Sequence, residues 1–196
     1  MLSLSAREKM WLLSLAGAGF LVYFFGDSLS MGIDAATADP ADPSDPFFQY
    51  DALFQKYSAV SGVPWRWMKA ICMVESALGQ DPSVLAGLAD PSDVDGSKSS
   101  DGLSWGLMQV TLKTARALEG IAIEAPFLND PDNSVRLASE LLKQLIGTFG
   151  TDDRESVVRA YNGGPKFGVA TVPYYAKFVT NINIVITKQP GNELEI

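Results

Sequence analysis

The sequence predicts a mainly α-helical domain preceded by an apolar helix and a linker. Three observations predict it. Between residues 47 and 187 apolar side chains recur at three- and four-residue spacing, the repeat of one helical face. Several of these runs have Pro, Asp or Asn where a helix starts and Gly where it stops. A chain of 196 residues with a hydrophobic share of 47% supplies one domain with a real core, with room for a tail at one end.

Taken in order, Arg7 and Lys9 precede the uncharged run 10–26, MWLLSLAGAGFLVYFFG, with Trp11 and Tyr23 placed like interfacial anchors. About 17 residues is the lower limit for a membrane-spanning helix. The reading preferred for segment 1–33 is an uncleaved anchor with its N-terminus inside and everything after Asp27 outside. A cleaved signal peptide is the rival, since Ala-Thr-Ala at 36–38 resembles a cleavage site, although it lies a dozen residues past the apolar run. A helix buried inside an oligomer is a third reading. Residues 34–46, DAATADPADPSDP, hold no large apolar side chain and form a Pro/Asp-rich linker. The domain is expected over 47–187, with 188–196 as a C-terminal tail.

The first domain helix is expected at 47–60, with Phe47, Tyr50, Phe54 and Tyr57 on one face, ending before Gly62. The second has Pro64 in its first turn and runs through MKAICMVES. From Ser76 to Trp105 the chain is polar and carries Asp81, Asp90, Asp93, Asp95 and Asp101 among Gly and Ser, which reads as a long, solvated and mobile loop. Asp93, Asp95 and Gly96 imitate part of a calcium loop, but Pro91 and Gly102 stand where its end ligands should be, so no metal is expected. The clearest helix spans DPDNSVRLASELLKQLIGTFG, with Asp132 or Asn133 as N-cap and Gly150 as its stop. Another ends at Gly163-Gly164. The last, PYYAKFVTNINIVI, carries a β-branched stretch at 182–187 that reads equally as a strand.

Composition narrows the function. A net charge of −8 and no basic run exclude a nucleic-acid surface, which needs clustered Lys and Arg. There is no histidine, so imidazole-based hydrolysis and most catalytic zinc sites are unavailable and acid–base work falls to carboxylates, Lys or Tyr. The single cysteine, Cys72, excludes an intrachain disulfide and sits on an apolar stripe, as a small core residue would.

On that stripe, Met68, Ile71, Cys72 and Glu75 follow the i, i+3, i+4, i+7 spacing, so a carboxylate points where the oily side chains point. Apolar surroundings disfavour the charged form and keep a carboxylic acid protonated near neutral pH. Such an acid can protonate a glycosidic oxygen, which leaves poorly until it is protonated.

Three stretches then occur in order: ESALG at 75–79, WGLMQV at 105–110 and RAYNGG at 159–164. Together they resemble the catalytic domain of soluble lytic transglycosylases, relatives of goose-type lysozyme that cleave the glycan of peptidoglycan. The resemblance covers about residues 47–187 and implies a lysozyme-like helical fold, no cofactor, and peptidoglycan glycan strands as the partner. It makes Glu75 the catalytic acid and base. It places Gln109, Tyr161 and Asn162 along the saccharide cleft, with Met108 packed beneath the sugar. YAKFV near the C-terminus resembles the family's Tyr-x-x-x-Val element and suggests Tyr175, with Tyr174 competing, while Ser100 is a weaker match to a serine preceding Gly-Leu-Met-Gln. The chain departs from the pattern at Leu103-Ser104, where Gly-Ala is usual, and in the length of its Asp-rich connection.

Taken singly, these residues also have ordinary readings: Gln109 as a capping amide, Met108 as core, Tyr161 as a buried ring with a satisfied hydroxyl. The implied reaction is cleavage between N-acetylmuramic acid and N-acetylglucosamine with closure to a 1,6-anhydro product. The rivals are a hydrolytic muramidase of the same fold, using an aspartate of the 81–101 loop, and a glycan-binding component that does not cut. An anchored lytic domain suits a phage virion or a secretion or conjugation apparatus, with a membrane or large assembly holding the N-terminus.

Overall fold

A computed structural model describes residues 44–100 and 102–190, all within the unit Asp39–Ile196. The apolar segment 10–26, most of the linker, Asp101 and residues 191–196 lie outside the described residues, so the anchor expectation falls there. Among the described residues no helix is long and apolar enough to cross a membrane.

The domain is mainly helical, as the periodicity predicts. Residues 44–50 form turns rather than the start of a helix, because the Asp45 carboxylate accepts the Phe47 amide at 2.8 Å and folds the chain back. Helix α1, Asp51–Ser61, follows and ends at Gly62, whose φ of +78° lets its amide reach the Ser58 carbonyl. Helix α2, Trp65–Ser76, starts directly after Pro64 and is buried along most of its length, including Arg66 and Lys69. It lies between α1 and the C-terminal helix, which makes it the axis of the core.

The 76–105 stretch corrects the sequence reading, for it carries a helix, α3 (Pro82–Ala89), rather than loop alone. Its start is conventional: Asp81 accepts the Ser83 amide and Pro82 occupies the first turn. Turns follow to a short antiparallel hairpin, β1 (Ser104–Trp105) and β2 (Val110–Thr111), with Ser104 opposite Thr111 and Trp105 opposite Val110. Asp93 and Asp95, the partial calcium imitation, face solvent: Asp93 accepts the Asp95 amide and Asp95 pairs with Lys98.

Helix α4 (Leu112–Glu119), capped by the Thr111 hydroxyl, and the short α5 (Ala125–Asn129) lead into α6 (Pro131–Phe149). The N-cap of α6 is Asp130, not the expected Asp132 or Asn133: it accepts the Asp132 amide and leaves Pro131 in the first turn, where a missing N–H costs nothing. Asp132 instead accepts the Tyr57 hydroxyl and the Lys56 ammonium, each at 2.6 Å, joining α6 to α1. Helix α7 (Arg154–Gly163) follows. A single 3-10 turn, Val169–Thr171, opens α8 (Val172–Lys188). Residues 182–187 are helical. Tyr174, Phe178, Ile182 and Val185 are the buried face of α8, and burying them against α2 outweighs their β-branched neighbours' strand preference.

Candidate active site

Glu75 sits in the last turn of α2, and the residues after it explain how it is presented. Ala77, Leu78 and Gly79 all adopt left-handed backbone, with φ of +49°, +57° and +79°, so the chain reverses sharply once the helix stops. Ser76 holds that reversal: its hydroxyl is buried, lies 3.3 Å from the Cys72 carbonyl and accepts the Gly79 amide at 3.0 Å. Ser76 therefore turns into the core, and Glu75 stands half-buried beside Tyr161 of α7 and Tyr174 of α8.

The Tyr174 hydroxyl, from the first turn of α8, donates to Glu75 Oε1 at 2.6 Å. Burial raises the Glu75 carboxyl to about 7, opposed by that hydrogen bond and by the positive charge of Lys177, both of which favour the carboxylate. Both neighbouring phenols, Tyr161 and Tyr174, are pushed well above the ordinary tyrosine range, first by burial and then by the charge of Glu75. They remain donors throughout the neutral range.

Opposite lies the turn 106–109 between β1 and β2. Gly106, at φ +80°, runs so close to α5 that a Cβ there would stand 1.9 Å from the Leu128 carbonyl oxygen. Gln109 is itself left-handed at φ +49°, and its Nε2 donates to the carbonyls of Gly106 and Ser97, each at 2.8 Å. The Met108 side chain is wholly buried in the core, its amide donates to the Ser134 hydroxyl, and its carbonyl accepts the Tyr161 hydroxyl at 2.8 Å. Tyr161 thus ties the Gly-Leu-Met-Gln turn to α7 beside Glu75. Asn162 is exposed on the next position of α7. Gly163 beyond it allows the 3-10 turn close, since a Cβ would meet Thr171 Cγ2 at 2.5 Å.

The residues the sequence singled out therefore gather unevenly. Glu75 and Tyr161 are neighbours, and Gln109 reaches them through the turn Tyr161 holds. Tyr174, the competitor, is the tyrosine that meets Glu75. Tyr175 stacks on Phe178 with centroids 6.0 Å apart and lines a separate hollow with Trp67 and residues 151–155. The signal was available: Tyr174 falls on the α8 stripe with Phe178 and Ile182, and Tyr175 falls one position off it. Ser100 is exposed in the turns before β1, whereas the buried serine of that region is Ser97. Ser97 and Asn129 carry no sequence signal of their own; their role depends on contacts between distant segments.

A family model for the transglycosylase SLT domain matches residues 52–172. The chain belongs to that family. Its members are lytic transglycosylases acting on peptidoglycan, so this SLT domain is an enzyme of that class, with peptidoglycan as its substrate. No curated protein and no solved structure matches the chain. The family match holds Glu75, the Gly-Leu-Met-Gln turn and Tyr161 and stops at residue 172, so Tyr174, the competing tyrosine beside YAKFV, is set against Glu75 by its hydrogen bond and not by that match.

Proposed function

We propose that this SLT domain cuts the β-1,4 bond between N-acetylmuramic acid and N-acetylglucosamine without water, with Glu75 acting first as acid and then as base. Protonated Glu75 gives its proton to the glycosidic oxygen, the bond from that oxygen to muramoyl C1 breaks, and N-acetylglucosamine leaves with a free hydroxyl. Charge builds on C1. The muramoyl C6 hydroxyl attacks C1, its proton passes to the Glu75 carboxylate, and a 1,6-anhydro ring closes with the enzyme restored. Tyr174 holds the carboxylate between the two transfers, because a phenol that donates to Oε1 favours the ionised form that the second step needs. Gln109, Tyr161 and Asn162 are proposed to line the saccharide cleft, with the buried Met108 supporting the turn that carries Gln109 and Ser100 at its rim.

The observation that carries this reading is a single acid held near neutral pKa with no second carboxylate acting on it among the described residues. Hydrolytic glycosidases generally use two carboxyl groups. Here the charges felt by Glu75 come from Lys177, while Asp90 and Asp93 close their own exposed turns through Ser92 and Asp95. An internal hydroxyl needs no positioned water, since the sugar itself holds it at high effective concentration. Borohydride treatment of the earliest digestion products tests this: the new muramoyl ends should resist reduction, and reducible ends from the first time point would make the enzyme a muramidase.

For setting, the uncharged run 10–26 behind Arg7 and Lys9 supports a membrane anchor, or seating in a large assembly, joined to the SLT domain through the Pro/Asp-rich sequence 34–46. Local wall penetration by a phage virion or a secretion apparatus fits such a tethered enzyme. The full chain should sediment with membranes or with an assembly, and a freely soluble full-length chain would remove the tether.

A further inference from the structure

The Asp-rich turns between α3 and β1 are held by one buried side chain that belongs to neither. Asn129, the last residue of α5, is completely buried, and every polar hydrogen and acceptor of its amide has a place. Its Nδ2 donates to the Asp93 carbonyl at 2.7 Å and to the Pro91 carbonyl at 3.3 Å, and its Oδ1 accepts the Ser97 hydroxyl. Carbonyl partners accept only, so the amide can sit only this way round. Ser97, also fully buried and left-handed at φ +58°, passes the contact on: its hydroxyl accepts the Gly106 amide at 2.8 Å and its carbonyl accepts Gln109 Nε2 at 2.8 Å.

Two further contacts close the frame. The Trp105 indole donates to the Val94 carbonyl at 3.1 Å, and Gly96 lies against Gly87 of α3 so closely that a Cβ on Gly87 would stand 2.4 Å from the Gly96 carbonyl carbon. Residues 91–97 are thereby tied to α3, α5 and β1. The consequence falls on Gln109. Both of its amide hydrogens are taken by Ser97 and Gly106, while Oε1 has no partner among the described residues and Gln109 remains partly exposed. The amide therefore presents an acceptor, suited to a hydroxyl or an acetamido N–H of a sugar.

We infer that Asn129 is a positioning residue for glycan binding: through Ser97 it orients Gln109 so that Oε1 faces the saccharide. The inference rests on Gln109 lining the cleft and adds the residue that aims it. Asn129→Asp tests it, because the variant keeps the acceptor for Ser97 but sets a second oxygen against two carbonyls. With soluble glycan strands as substrate, and at a temperature where circular dichroism shows the variant folded, KM should rise roughly fivefold to thirtyfold, the effect of leaving one buried polar contact unmade. The maximal rate and the alkaline limb of the pH profile should move little, since Glu75 is held by α2 and α8. Ser97→Ala cuts the same relay from the other side and should reproduce the KM effect, which keeps the test open if Asn129→Asp fails to fold.

Gln109→Ala separates the two ideas. If it raises KM while neither Asn129→Asp nor a folded Ser97→Ala does, Gln109 reads the sugar unaided and the inference is wrong. If Gln109→Ala leaves KM unchanged, the cleft assignment fails and the inference falls with it. A melting temperature lowered with KM intact would make Asn129 merely structural.

Discussion

At the scale of single residues, chemistry and stability pull on Glu75 in opposite directions. An unfolded glutamic acid ionises near 4.5, and in the fold the group keeps its proton to about 7. Below 4.5 both states are protonated and the group costs nothing. As pH rises from 4.5 to 7 the unfolded chain gives up its proton first, so stability falls, and the full penalty stands above 7. Glu75→Gln should therefore be inactive, by at least about a hundredfold for loss of a general acid, yet should melt higher than the parent by a margin of a few degrees that opens between pH 5 and 8. Paired activity and melting curves check both halves, and a folded, fully active variant would remove Glu75 from the mechanism. In the parent, kcat/KM should fall on the alkaline side with an apparent pKa near 7. Tyr174→Phe removes the bond that favours the carboxylate, so that limb should shift to higher pH while the rate drops several-fold. A limb that stays put would show that the bond contributes nothing to the ionisation of Glu75.

At the scale of elements, helices announced themselves where one apolar face was long, as in α2, α6 and α8. The eight residues of α3 did not, because Pro, Ser, Ala and Gly give little periodic contrast and the helix rests on its Asp81 cap. Asp130 was passed over as the α6 cap because an Asp and an Asn follow it, although Pro131 in the first turn points to it. Of the candidate site, Glu75, Gln109 and Tyr161 are the residues that motifs single out, and the structure brings Glu75 beside Tyr161, whose hydroxyl holds the turn that carries Gln109. Tyr174 was offered only as the competitor of Tyr175, and Ser76 and Ser97 were not singled out, since each acts through a partner chosen by tertiary contact. The hairpin turn shows how demanding such contact is. Gly106→Ala would set a methyl group into the Leu128 carbonyl at a positive φ, and should destabilise the domain by roughly 3 kcal/mol or more. Denaturant unfolding measures it, and a loss below about 1 kcal/mol would mean that the turn relaxes easily away from α5.

At the scale of the whole domain, its two ends are locked at one corner. The Lys69 ammonium, with no exposed side-chain surface, lies 2.6 Å from Asp51 Oδ1, donates to Gln189 Oε1 at 2.7 Å and sits over the Phe47 ring. Gln189 in turn donates to Asp51 Oδ2. Burial lowers Lys69 to about 8, against the pull of Asp51, so the pair tolerates no loss of its carboxylate. A chain beginning at residue 34 should keep its melting temperature and activity, whereas one beginning at residue 52 strands the buried ammonium and should lose roughly 3–5 kcal/mol. Equal stability of the two would show that the corner is not part of the domain core. In the proposed reaction one carboxyl group and the sugar's own hydroxyl complete the cleavage. Digestion of peptidoglycan in heavy-oxygen water, followed by mass spectrometry of the earliest muropeptides, tests it most directly. Closure by the C6 hydroxyl gives muramoyl ends lighter by one water than a hydrolytic product and free of the label. Heavy oxygen at the new muramoyl C1 would contradict it.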